Sequence, residues 1–160
     1  MRRSEKEITD YKEMTAIMEK AAVCRIALVD GDYPYVIPVN FVVKDNYLYF
    51  HSSRNGRKID ILRKNNQVCF EMDIDAQIVP ADVPCSWSTR YLSVIGFGRA
   101  IFLNTTEEKI KALNYLMEKY AGTGSFPYKA EALEKVVVIC IRMEKITGKK
   151  SGYKQSPAAE

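Results

Sequence analysis

One histidine, one tryptophan and four cysteines occur in 160 residues, and each scarcity excludes something. A lone imidazole, His51, rules out a zinc centre built from several histidines. Cys24, Cys69, Cys85 and Cys140 form no C-x-x-C pair, and three of them stand in apolar runs, so neither a metal site nor a disulfide framework is expected. No apolar run approaches the roughly 18–20 residues of a membrane-spanning helix. The charged start, Met1 to Glu7, lacks the apolar core and cleavage site of a secretory leader, so the expected compartment is the cytoplasm. The balance of 24 Lys plus Arg against 20 Asp plus Glu is too even to argue for nucleic acid. What remains, 47% hydrophobic and 28% charged with no repeat or linker, is the composition of one soluble globular domain, 1–160.

Apolar residues at Tyr11, Met14, Ile17, Met18 and Ala21 mark an amphipathic N-terminal helix within 1–22, with Asp10 as its cap and Glu13 as a capping-box partner. The period then changes. Val23 to Asp30, Tyr35 to Val43, Tyr47 to Ser52 and Gln67 to Asp73 read as strands, and Arg57 to Lys64 as a short helix. Residues 74–89, with Pro80 and Pro84 and no clear period, read as a long loop. Tyr91 to Leu103 is a strand with Gly96 and Gly98 inside it, which mark a bulge, a bend or the close approach of a ligand. Thr105 and Glu108 form a capping box for a helix over 105–120, expected to cover a barrel end. One or two helical turns follow at Lys129 to Glu134, and Val136 to Met143 is the last strand. About six strands with interspersed helices predict a mainly β fold, a small barrel closed or nearly so. Its core spans about residues 23–148, and 151–160 reads as a flexible tail.

Basic residues cluster at Arg54, Arg57, Lys58, Arg63 and Lys64, and again at Lys145, Lys149, Lys150 and Lys154, which suits small anionic ligands as readily as a polyanion. The first cluster overlies the most informative stretch, Phe50 to Lys58. A strand ends in Ser52 and Ser53, passes through a Gly56-containing loop and enters a helix. First-turn amides and the helix dipole favour an anion there, whereas two cations in that turn oppose the dipole unless an anion neutralises them. With the hydroxyls as further donors, this reads as a phosphate site; a basic helix start solvated at the surface is the competing reading. Asn40, polar in an apolar strand that Pro38 interrupts, either reads the rim of a flat heteroaromatic ring or faces solvent at a bulge. Trp87, in the irregular segment before Arg90, Tyr91 and Ser93, either covers a ligand ring or serves as a core or dimer contact.

These segments resemble, in order, the flavin-binding split-barrel proteins related to pyridoxamine 5′-phosphate oxidase, and among them the nitroimidazole-resistance (Nim) group. The resemblance runs from about Cys24 to Gly148; the run Leu48 to Asp60 is its most specific part. It implies a Greek-key split β-barrel with flanking helices, assembled as a homodimer with FMN in two clefts at the subunit interface. Carried over by position, Arg57, Lys58 and Ser52 would grip the FMN phosphate. Val39, Asn40 and Phe41 would run along the isoalloxazine edge, and Phe50 and His51 would touch the ribityl chain or ring. Trp87 and Tyr91 would approach from the partner subunit. In the Nim group the histidine at the position of His51 lies beside the flavin, facing the substrate pocket. The Arg-rich C-terminal substrate motif of the vitamin B6-synthesising oxidases is missing, since the chain reads Lys149-Lys150-Ser151-Gly152-Tyr153 there, which argues against that activity.

The expectation is therefore an FMN-dependent oxidoreductase that reduces a small electron-poor acceptor, a nitroaromatic or a quinone, with His51 as the proton or hydrogen-bond donor. The alternatives are that His51 only binds the ribityl chain, that the protein handles haem through His51, or that it carries or senses flavin without turnover. NAD(P)H is the candidate electron donor, docking without a dinucleotide fingerprint because Gly96-Phe97-Gly98 lies within a strand.

Overall fold

The computed structural model describes residues 3–153. Lys154 and the tail beyond it lie outside the described residues. One antiparallel sheet of eight strands carries the fold: β1 (Glu7–Ile8), β2 (Cys24–Asp30), β3 (Tyr33–Val39), β4 (Val42–Lys44), β5 (Tyr47–Ser53), β6 (Gln67–Val79), β7 (Ser88–Phe102) and β8 (Val136–Ser151). The helices are α1 (Tyr11–Lys20), α2 (Arg57–Lys64), α3 (Thr106–Ala121) and α4 (Ala130–Lys135). No described helix is long and apolar enough to cross a membrane.

The strand order is β3-β2-β6-β7-β8-β5-β4, with β1 on β8. Its two edge strands, β3 and β4, are consecutive in the chain and separated only by Asn40 and Phe41. The chain itself thus joins the sheet's edges while the hydrogen-bonded ladder stays open, which makes a split barrel. The single strand expected over Tyr35 to Val43 is accordingly two: the first pairs with β2, the second with β5.

Alternation sets the inside. Ile26 and Leu28 of β2, Leu48 and Phe50 of β5, Phe70 and Met72 of β6, and Ile139 and Ile141 of β8 are buried in one core with Met14, Ile17 and Met18 of α1 and Ile59, Ile61 and Leu62 of α2. Gly96 stands opposite Phe70 in the ladder and leaves room for its ring. Gly98 marks the bulge where the β7–β8 register shifts, so these glycines serve packing and a bulge. Asp10 caps α1 through the Lys12 amide, without a Glu13 box, while Thr105 and Glu108 form the expected reciprocal box on α3.

Two further expectations are corrected. Residues 74–89 are not a long loop: β6 continues to Val79 and β7 begins at Ser88, leaving a short connection with one 3₁₀ turn at Pro84–Ser86. The ladder shifts by one residue between Ile74 and Gln77, with Asp75 at φ 56°, and residues 75–79 beyond it are all exposed, so this arm stays paired without packing into the core. The last strand likewise runs to Ser151, eight residues past Met143, because the β7–β8 bulge inserts an extra residue there and breaks the apolar run. Cys24 and Cys140 are buried, Cys69 half-buried and Cys85 exposed, all as free thiols.

Candidate functional site: the gap between β3 and β5

The β4–β5 ladder starts at Val42↔Tyr49. Continued backwards, that register would set Phe41 opposite Phe50, Asn40 opposite His51 and Val39 opposite Ser52. The ladder stops instead, because Val39 pairs with Cys24 of β2. The two strands diverge, and the sequence-predicted positions Val39, Asn40, Phe41, Phe50, His51 and Ser52 line the two sides of the opening. Phe41 and Phe50 are core side chains at 0% exposure, and Val39 is buried as well. Asn40 is exposed.

α2 starts at the end of β5 and packs against β2, so it spans the same opening. Its N-cap is Gly56 at φ 127°, with no side chain capping the turn. Ile59 and Asp60 amides bond to the Gly56 carbonyl, while the Arg57 and Lys58 amides find no acceptor among the described residues. A Cβ on Gly56 would meet nothing within 4 Å, so the space before the helix is open. Arg57 reaches the far wall: its Nε donates to Asp30 at 3.0 Å, and its guanidinium lies 4.7 Å from the Tyr35 ring centre. The terminal nitrogens of that guanidinium have no protein acceptor among the described residues. Lys58 is half-buried and without an ion pair among them.

Ser52 decides what this corner suits. It is 6% exposed, and its Oγ is the one buried side-chain polar atom among the described residues left without a hydrogen-bond partner. A buried hydroxyl is normally satisfied, and leaving it orphaned costs about 1–3 kcal/mol. Two free first-turn amides, two cations and an unsatisfied hydroxyl make this a donor-rich set that suits an anion such as a phosphate, although the Asp30 carboxylate already takes the Arg57 Nε.

His51 stands on the outer face of β5, exposed, with its neighbour Ser52 turned inward. Partial burial, and then the Lys58 ammonium, hold its imidazole below its usual pKa. A lowered value means that the unfolded chain takes up the proton first, so this contribution to stability is present above 6.5 and is lost as the pH falls below it through the lowered folded value. Lys58→Met removes the nearby charge, and the His51 pKa followed by NMR is expected to rise toward 6.5. No movement means that Lys58 does not face the ring.

Trp87 and Tyr91 are not brought to this corner. Asp30 lies at the Gln67 end of β6, Trp87 beyond the Val79 end, with a 13-residue strand between, roughly 40 Å at about 3.3 Å per residue. Trp87 is 56% exposed and donates to the Ala81 carbonyl at 2.7 Å. The Lys149 ammonium lies 5.2 Å from the Tyr91 ring centre. Four residues at the gap escaped the sequence reading: Asp30 and Tyr35, which hold Arg57, and Lys119 and Tyr120 of α3, which hold Phe41. Only Tyr120 carried a sequence signal, as a member of the α3 stripe.

A family model described as pyridoxamine 5′-phosphate oxidase matches residues 10–150. The chain belongs to that family. Among solved structures similar to this family member is a Bacteroides thetaiotaomicron protein provisionally assigned to 5-nitroimidazole antibiotic resistance. It is 32% identical over 90% of this chain and 86% of that one, with a TM-score of 0.81. An FAD-binding protein from Mesorhizobium loti is 23% identical, covering 89% of this chain and 96% of its own, at a TM-score of 0.67. An FAD- and haem-binding protein from Mycobacterium smegmatis is 17% identical, covering 96% and 77%, at a TM-score of 0.85. The last two share this chain's fold.

Proposed function

We propose that the chain is a cytoplasmic FMN-binding oxidoreductase that reduces a small electron-poor acceptor, a nitroaromatic or a quinone. The observation that carries this reading is the buried, unpartnered Ser52 hydroxyl near the end of the strand that leads into the uncapped start of α2. Ser52, the Arg57 and Lys58 amides, the free end of the Arg57 guanidinium and the Lys58 ammonium would hold the phosphate. Asn40, the exposed member of the Val39–Phe41 segment, would offer its amide to the ring edge, with Phe50 and His51 on the opposite strand. Bound FMN supplies electron transfer from a donor such as NAD(P)H to the acceptor.

The protein's own part is binding, orientation and hydrogen-bond donation. Because its pKa is lowered, His51 is neutral near pH 7, presenting one N–H to an acceptor atom that gains negative charge. Trp87 and Tyr91 of the same chain lie at the far end of the sheet, so in this reading a second copy provides the aromatic cover, in a homodimer with one FMN in each interfacial cleft.

The purified protein is expected to be yellow, with flavin bands near 370 and 450 nm (approximate values for the cofactor), and to release FMN of the corresponding mass on denaturation. It is expected to consume NAD(P)H when given nitroaromatics or quinones. An intense Soret band instead would mean haem at His51, released FAD would move the phosphate assignment to a dinucleotide, and bound flavin without turnover on any acceptor would make the protein a carrier.

A further inference from the structure

The point where the chain leaves β3 and enters β4 decides how wide the gap stands, and two adjacent residues of α3 hold it. The Phe41 amide donates to Tyr120 Oη at 2.9 Å. That hydroxyl in turn faces the Ala22 carbonyl at 2.8 Å and the Phe41 carbonyl at 3.2 Å. With a single hydrogen it donates to one carbonyl at a time, and the shorter contact is Ala22, in the turn that leads to β2. Lys119 takes the side chain: its Nζ lies 3.6 Å from the Phe41 ring centre and donates to the Met18 carbonyl in the last turn of α1 at 3.3 Å. Backbone and ring of one fully buried residue are thus tied to α3, α1 and the α1–β2 turn.

We infer that Tyr120 and Lys119 are positioning residues which, through Phe41, fix Asn40 and the β3 wall of the gap at the spacing a flavin needs. The inference rests on the flavin reading above.

A tie that served stability alone would be placed to bury surface, yet Tyr120 is 43% exposed at the end of its helix. Its hydroxyl contacts are all at the Asn40–Phe41 switch and the turn beside it. Lys119 stays half-buried although burial lowers its pKa to about 8, opposed by the Glu19 carboxylate, which favours its charge. A cation over an aromatic face, hydrogen-bonded to a helix-end carbonyl, is the arrangement that retains the charge in such a place. Tyr115, on the same helix, has an edge contact with Tyr49 and no hydroxyl bond among the described residues, which makes it the natural control.

Four variants of the full chain test this: Tyr120→Phe, Lys119→Gln with Lys119→Arg as its conservative rescue, and Tyr115→Phe. In flavin-free protein, exchange of the Phe41 amide with deuterium is expected to quicken about tenfold in Tyr120→Phe, locally, and to stay unchanged in Tyr115→Phe. For FMN, the dissociation constant is expected to rise about fivefold to tenfold in Tyr120→Phe and in Lys119→Gln, with a displaced flavin absorption band. Lys119→Arg, which keeps a cation over the ring, is expected to restore both. Faster Phe41 exchange with wild-type FMN affinity and spectrum would overturn the positioning role and leave the flavin reading intact. Lost affinity with unchanged Phe41 exchange would overturn it too, since the effect would not run through Phe41. Should Tyr120→Phe fail to fold, the Lys119 pair decides: equal affinity in Lys119→Gln and wild type overturns the inference. Absence of FMN binding by the wild-type protein overturns both readings.

Discussion

Arg57→Ala is expected to lower FMN affinity by about 1.5–3 kcal/mol, roughly 10- to 150-fold, while the protein still folds. Two contacts pre-orient this side chain before any ligand arrives: the Nε bond to Asp30 and the stack on Tyr35. Both leave the terminal nitrogens without a protein acceptor among the described residues, so a phosphate meets a fork already in place and pays little ordering entropy. The Asp30 pair is itself partly exposed, and such pairs contribute only about 0–1 kcal/mol to stability, which is why the fold is expected to survive. Arg57→Lys would keep the charge and lose the fork, and an intermediate affinity is expected. Titration of flavin-free protein with FMN by fluorescence, alongside a melting curve, measures both quantities. Equal affinity in Arg57→Ala and wild type would remove the phosphate from this corner.

The second large effect is on the fold. Gly96→Ala would put a methyl group into the Phe70 ring, which faces Gly96 directly across the β6–β7 ladder and is fully buried. Phe70 is surrounded by core, so the ring has nowhere to turn without displacing other side chains. Overpacking of this kind costs about 3 kcal/mol, which for a chain of this size lowers the melting temperature by roughly 6–12 °C. The double variant Gly96→Ala/Phe70→Leu is expected to recover part of that loss, because the collision and not the glycine's flexibility is the cause. A melting temperature within about 2 °C of wild type for Gly96→Ala alone would contradict the packing described here.

The parts of the fold that were legible in the sequence are the ones written locally. Arg57–Lys64 is observed with the bounds its apolar spacing predicts, and the Thr105–Glu108 box opens α3. Features that depend on a second strand were not legible. The arm beyond Asp75 is held by its β7 partner and not by burial, so it looked like a loop, and the β8 bulge disguised the eight residues from Glu144 to Ser151. Nothing in Tyr35 to Val43 announces that its two halves pair with different neighbours, since the exchange at Asn40–Phe41 is a property of barrel closure. The candidate site divides in the same way. Ser52, Arg57 and Lys58 were readable because strand end, loop and helix start are contiguous. Asp30, Tyr35, Lys119 and Tyr120 lie 22 or more positions from the residues they hold, and only topology brings them there. Exposed Cys85 and the open face around Trp87 show the reverse case, in which an apolar sequence stretch is not a core.

The central claim is that the donor set at Ser52 and the start of α2 exists to hold a terminal phosphate. Riboflavin and FMN share ring and ribityl chain and differ only in that group, so their affinities for one preparation of flavin-free protein isolate it. FMN is expected to bind about 100-fold or more tightly than riboflavin, the yield of two or more charge-assisted bonds. Equal affinities would contradict the account.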